Sequence, residues 1–122
     1  RYSRIGDLRF DRYTLADAST APGTVPVAAA ALIATLGELA GVVVVHNGRV
    51  VDVQLGDAAV TAGVHFGPAT DDSDGVLGAA GTAPNDLFVA YNDAFSSDPV
   101  LLRVPRGRSI EHPFAVVNYV DR

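Results

Sequence analysis

Cysteine, methionine, tryptophan and lysine are all missing from these 122 residues, and most of the absences close off some chemistry. Without cysteine there is no disulfide, thiolate metal ligand or thiol nucleophile, and sulfur usage says nothing about the redox compartment. Without lysine no P-loop can form, and Gly75, Gly78 and Gly81, spaced by three, match neither that loop nor a dinucleotide fingerprint. Long apolar runs are also missing. The longest, Val25 to Leu36, is interrupted by Pro26 and Thr35 and falls short of the ~20 residues a membrane span needs. No membrane partner is therefore expected. Cations are few, and the net charge of −5 opposes binding to a phosphate backbone. Four of the nine arginines do fall in the first twelve residues, among Tyr2, Phe10 and Tyr13, but Asp7 and Asp11 dilute that strip, and no nucleic-acid partner is expected. A chain without methionine that opens on Arg1 reads as a segment of a longer protein.

What is present is a chain 48% hydrophobic, rich in Ala, Val and Gly, and long enough for one core. Residues 17–24 form a linker. A helix is expected from Pro26 to Leu39, with Pro26 in its first turn and Gly41 ending it, and its nearly empty polar face predicts cover on most sides. Two β-rich runs, Val42 to Val45 and Val50 to Leu55, flank Asn47-Gly48, the strongest signal for a two-residue type I′ hairpin. Pairing His46 with Arg49 would set Val44 opposite Val51 and Val42 opposite Val53, placing these four on a core face and Asp52 and Gln54 on the other. A third strand is expected over Val60 to Phe66, then a loop from Pro68 to Pro84. Asn85 or Asp86 caps a helix running to Ser97, in which Phe88, Tyr91 and Phe95 recur at helical spacing. Val100 to Val104 reads as a strand, Pro105-Arg106-Gly107 as a turn, and Phe114 to Val120 as a strand after Pro113. The two strands lie about twenty residues apart, the size of one coil of a parallel β-solenoid.

Candidate chemistry is sparse. His46, His65 and His112 lie far apart in sequence and read as a hairpin-tip, a strand-end and a turn residue, not as metal ligands. Thr70 to Gly75 resembles part of a calcium loop but has Thr70 at its first position and Gly81 where the bidentate glutamate belongs. No serine sits in a nucleophile elbow. Arg103, Arg106 and Arg108 make a basic cluster near Glu111 that reads as a solvated face, with a docking edge for an acidic partner as the sharper alternative. No catalytic, metal-binding or cofactor-binding residue is assigned.

The segment from Asn85 to Phe114 carries a family resemblance. Asp86, Phe88, Ala90, Asn92, Ala94 and Phe95, then Asp98, then Val104, Pro105 and Gly107, then Pro113 with Phe114 resemble the helix, turn, strand end and next strand start of the SufB/SufD family of iron–sulfur cluster assembly proteins, closest to SufD. Val43 to Gly48, with Asn47 and Gly48 at the turn, is similar to that family's V-x-V-x-N-G hairpin, and Arg1-Tyr2-Ser3 looks like the end of its W-R-Y-[ST] motif. Three positions depart from the pattern: Tyr91 replaces a leucine, Pro99 a glycine and Phe114 an aliphatic residue. The resemblance implies an α+β fold, with residues 1–98 an N-terminal cap of helices and a β-hairpin and residues 99–122 the first coil of a right-handed parallel β-helix. It also implies a cytoplasmic, non-catalytic scaffold that pairs with a SufB-like paralogue and binds a SufC-like ATPase. The cluster-holding and ATPase-binding parts have no counterpart here, so no cofactor is expected in this segment. Two rival readings are a small cupin-like metal- or sugar-binding protein and a stand-alone adaptor. Pro105 to His112 faintly matches a cupin motif, with Ile110 where its histidine belongs; the adaptor would use the Phe88, Tyr91 and Phe95 face.

Overall fold

Asn and Gly tolerate the positive φ that a type I′ turn demands at both central positions. In the computed structural model, Asn47 has φ 49° and Gly48 φ 83°, and His46 faces Arg49 as the dipeptide predicts. The described residues are 9–12, 24–69 and 98–120. The fold is α+β. A 3₁₀ turn at Phe10–Arg12 precedes α1 (Val27–Ile33), the hairpin β1 (Gly41–His46) and β2 (Arg49–Leu55), α2 (Asp57–Thr61), β3 (His65–Pro68), β4 (Val100–Arg103) and β5 (Phe114–Tyr119). β1 is the middle strand of a three-stranded sheet, antiparallel to β2 and parallel to β5, while β3 and β4 form a separate antiparallel pair.

The hairpin keeps its predicted register for only two pairs. After Val45 opposite Val50 the ladder slips, so Val44 faces Asp52, Val43 faces Val53 and Val42 faces Gln54. Val51 is the extra residue of a β-bulge. Because side chains alternate with period two, one extra residue moves everything beyond it to the opposite face. Val42, Val44 and Val51 still share a cluster, but Val53 leaves it for the other face, where it is 40% exposed, and Asp52 and Gln54 take its side. The slip lets Val50 and Leu55, of opposite parity in sequence, pack into one cluster.

A second correction concerns β1 itself. Only the face carrying Val42 and Val44 was assigned to the core, but Val42 to Val45 are all buried, with Val43 and Val44 at 0% exposure. A strand covered on both faces needs a continuous apolar run rather than an alternating one. One face carries Val42 and Val44 against Ala29 and Ile33 of α1, with Val117 of β5. The other carries Val43 and Val45 against Ala59 of α2 and Val64 and Phe66 at β3, with Phe66 meeting Phe114 edge-on at 5.2 Å. The three-stranded sheet is thus a middle layer.

The long helix expected to Leu39 stops at Ile33. Thr35 and Leu36 donate to the i−3 carbonyls, the Thr35 hydroxyl also donates to Leu32 O, and Gly37 turns the chain at φ 76°. Nor is α1 covered on most sides: only Ala29 is buried, and Val27 and Leu32 are exposed. Gly41 instead opens β1, where a Cβ would meet Leu55 Cδ2 at 2.9 Å and Gln54 O and Phe114 Cδ1 at 3.1 Å. Of the strand expected over Val60 to Phe66 only His65 and Phe66 are extended, as the start of β3; Val60 and Thr61 end the short helix α2, and Ala62 and Gly63 turn the chain. The expected strands at Val100 and Phe114 and the turn at Arg106-Gly107, with Gly107 at φ 78°, are all present. The loop over 70–84 and the helix over 85–97 lie outside the described residues.

Gly41→Ala is expected to lower stability by about 1–3 kcal/mol, since the methyl group has no room between two neighbouring strands. A urea-denaturation midpoint equal to the parent's would contradict that crowding.

Candidate functional site

Two polar devices lock the central strand to its neighbours and a third ties β2 to the start of β4, and residues singled out by their motif spacing supply much of each. At the start of β1, the Ala40 N–H donates to Pro113 O at 2.8 Å and its carbonyl accepts from the Gly56 N–H at 2.9 Å. Pro113 has no N–H to offer the ladder but its carbonyl is free to start it. At the far end the Asn47 N–H donates to Tyr119 O at 2.9 Å, so the six-pair parallel ladder from Gly41–Phe114 to His46–Tyr119 is closed at both ends. The third device is Asp98. Its Oδ2 accepts the Val50 N–H at 3.0 Å, and its Oδ1 lies 3.7 Å from Arg49 Nη1. This carboxylate ties the residue beside the hairpin turn to the start of β4, 48 positions away.

The result is a polar cluster at one end of the sheet: His46, Asn47, Arg49, Asp98 and Tyr119. The His46 ring meets the Tyr119 ring edge-on at 5.3 Å, and Asn47 Nδ2 lies 3.4 Å from His46 Nε2. Its chemistry is that of a clasp. One partly covered carboxylate accepts from an outward-facing backbone donor and lies beside a guanidinium. Sequence reasoning placed His46 and Arg49 at this tip but did not foresee that Asp98 would reach them, because nothing local signals a contact across 48 residues.

The remaining sequence candidates are dispersed. Pro105 packs near Gly63, and Gly107 lines an open hollow of about 510 Å³ with Asp57, Thr61, Arg108 and Ser109. His65 is exposed at the start of β3, and His112 lies 3.3 Å from the exposed carboxylate of Glu38. Among the described residues no three His, Asp or Glu side chains are grouped to hold a metal ion. Also among them, no helix is long and apolar enough to cross a membrane. In the N-terminal strip, Arg9 donates two hydrogen bonds to Asp11 and holds its carboxyl below the usual carboxylate range. Asp86, Phe88, Asn92 and Phe95, the calcium-like run over 70–75 and the glycines at 75, 78 and 81 lie outside the described residues.

Asp98→Ala, which leaves the Val50 N–H without its acceptor, is expected to cost about 1–3 kcal/mol, and Asp98→Asn less, because an amide oxygen can still accept. Urea melts with amide hydrogen exchange at Val50 check this; an unprotected Val50 amide in the parent protein would remove the clasp.

Compared with protein-family models, with curated proteins and with solved structures, the chain matches none of them.

Proposed function

We propose that this chain is the N-terminal part of a SufD-like scaffold component of the SufBCD iron–sulfur cluster assembly complex. It is non-catalytic in itself and works in the cytoplasm beside a SufB-like paralogue and a SufC-like ATPase. The observation that carries this reading is that motif positions scattered over seventy residues of sequence meet in the fold. The Asn47 N–H and the Pro113 carbonyl close the two ends of the β1–β5 ladder, and Asp98 ties the start of β4 to β2, the other strand of the Asn47-Gly48 hairpin. A set of residues that resembles one family's framework and acts together as a framework supports descent from that framework.

The arrangement of β4 and β5 supports the β-helix part of the proposal. The two strands belong to separate sheets, as the flat sides of one coil would; β5 pairs in register and in parallel, the ladder type a parallel β-helix is built from, whereas β4 pairs antiparallel with β3. Segments 1–98 and 99–122 share both sheets, so the cap and the first coil would form one folding unit. The cupin alternative calls for a closed barrel, whereas the described strands form two open sheets. The helix on which the adaptor reading depends lies outside the described residues.

Three outcomes follow for the intact protein. Co-expressed with the SufB-like and SufC-like proteins, it is expected to co-purify with both; failure to bind either would defeat the proposal. Phe88→Asp or Phe95→Asp is expected to abolish soluble expression, while His46→Ala leaves cluster assembly unchanged, as read by reconstitution of an apo-ferredoxin. Loss of that activity in a normally folded His46→Ala protein would overturn the clasp-only role of the hairpin tip.

A further inference from the structure

Asn47 is the one asparagine of the chain that is followed by glycine; Asn85 and Asn92 precede aspartates and Asn118 a tyrosine. The next backbone nitrogen can attack an asparagine side-chain amide, and glycine, with no side chain to shield that nitrogen, is the neighbour that allows it most readily. Both residues are exposed at the hairpin tip. The fold, however, turns the reacting atoms apart. In a type I′ turn the first central residue has ψ of about +30°, which sets the next nitrogen roughly opposite Cβ about the Cα–C bond. Asn47, at φ 49°, has the positive φ of that position. Ring closure needs the Gly48 nitrogen on the same side as Cβ, so the turn must open first. Three contacts oppose the opening: the pairing of His46 with Arg49, the Asn47 N–H bond to Tyr119 O at 2.9 Å, and Asp98 Oδ2, which accepts the Val50 N–H at 3.0 Å.

We propose that Asn47 is a covalent modification site guarded by this clasp: each opening of the hairpin tip exposes it to conversion, through a cyclic imide, into aspartate or isoaspartate. The Gly48 nitrogen bonds to Asn47 Cγ, its proton passes through water to Nδ2, and Nδ2 leaves as ammonia. Water then opens the five-membered imide. Attack at the side-chain carbonyl leaves aspartate, and attack at the main-chain carbonyl leaves isoaspartate, whose backbone runs through the former side chain. Either product adds one negative charge to a chain already at −5. Aspartate followed by glycine suits the same turn. Isoaspartate does not. It adds a methylene to the main chain inside a two-residue turn, so the His46–Arg49 pair and the Asn47 N–H bond to Tyr119 cannot both be kept. The modification therefore loosens the far end of the β1–β5 ladder. The inference uses only the hairpin and Asp98, and it stands or falls apart from the family reading.

The tryptic peptide from Tyr13 to Arg49 holds Asn47 as its only side-chain amide, so amide loss in that peptide, read by mass spectrometry, belongs to Asn47. In mildly alkaline buffer the folded chain is expected to lose this amide at least about tenfold more slowly than the same chain in concentrated urea, a ratio that reports how rarely the tip opens. Asp98→Ala is expected to speed the loss in buffer by about tenfold, the scale on which a backbone donor deprived of its acceptor weakens a local structure. Enzymatic methylation specific for isoaspartate should label the modified peptide. Equal rates in buffer and in urea would overturn the guard, and an amide that survives even in urea would remove the site. A folded Asp98→Ala protein that reacts at the parent's rate would take the clasp out of the proposal. If Asp98→Ala unfolds, Asp98→Asn decides: it keeps an acceptor for Val50 but drops the charge facing Arg49, so its rate should exceed the parent's, and an unchanged rate would count against the clasp.

Discussion

Everything described in this molecule hangs on β1 being used on all four sides. Both of its edges are hydrogen-bonded and both of its faces are covered, one by α1 and the other by α2 with the β3–β4 pair. Four consecutive valines make that use favourable, since each fully buried aliphatic side chain stabilises by roughly 1.5–3 kcal/mol, and β-branching suits the extended backbone. The same burial sets a strict condition: no polar side chain can sit there without a partner, and the backbone donors of the strand must all be met by neighbours. The ladders to β2 and β5, with Ala40 bonded on both its N–H and its carbonyl, meet that condition.

That constraint dictates how distant parts of the chain are joined. β5 reaches β1 only after about seventy residues, and a parallel pairing of such separation forms late and slowly compared with the local hairpin. The loop-closure entropy has to be recovered by contacts that exist only in the assembled sheet. Asp98 helps by holding the start of β4 beside the hairpin turn, and Pro113 and Asn47 close the two ends of the parallel ladder. At the hairpin tip this fastening joins β2 to the start of β4 through Asp98 and β1 to β5 through Asn47.

The elements that sequence reasoning read well are those whose cause is local. Asn47-Gly48 prescribes its turn through backbone conformation alone, and the strands at Val100 and Phe114 are bounded by prolines that no neighbour can override. Errors arose where a neighbour decided. The alanine-rich stretch after Pro26 has propensity for more than seven residues of helix, yet it ends where Ile33 and Leu39 must both reach the sheet. Val60 to Phe66 looks β-rich, but Ala59 and Val64 fill the same cluster from the two ends of a helical turn. The hairpin register failed at one residue, Val51, because a bulge is chosen by the side chains packed above and below it and leaves no mark in the alternation itself.

By itself, then, the sequence determined the absence of thiol chemistry, the hairpin turn and the two late strands. Periodicity and turn chemistry act over a few residues and need no partner to be read. Only the tertiary structure decided that β1 is covered on both faces, that β5 joins it in parallel, and that Asp98 reaches the Val50 amide. Each of these is a relation between segments far apart in the chain, and its energy exists only once both partners are in place.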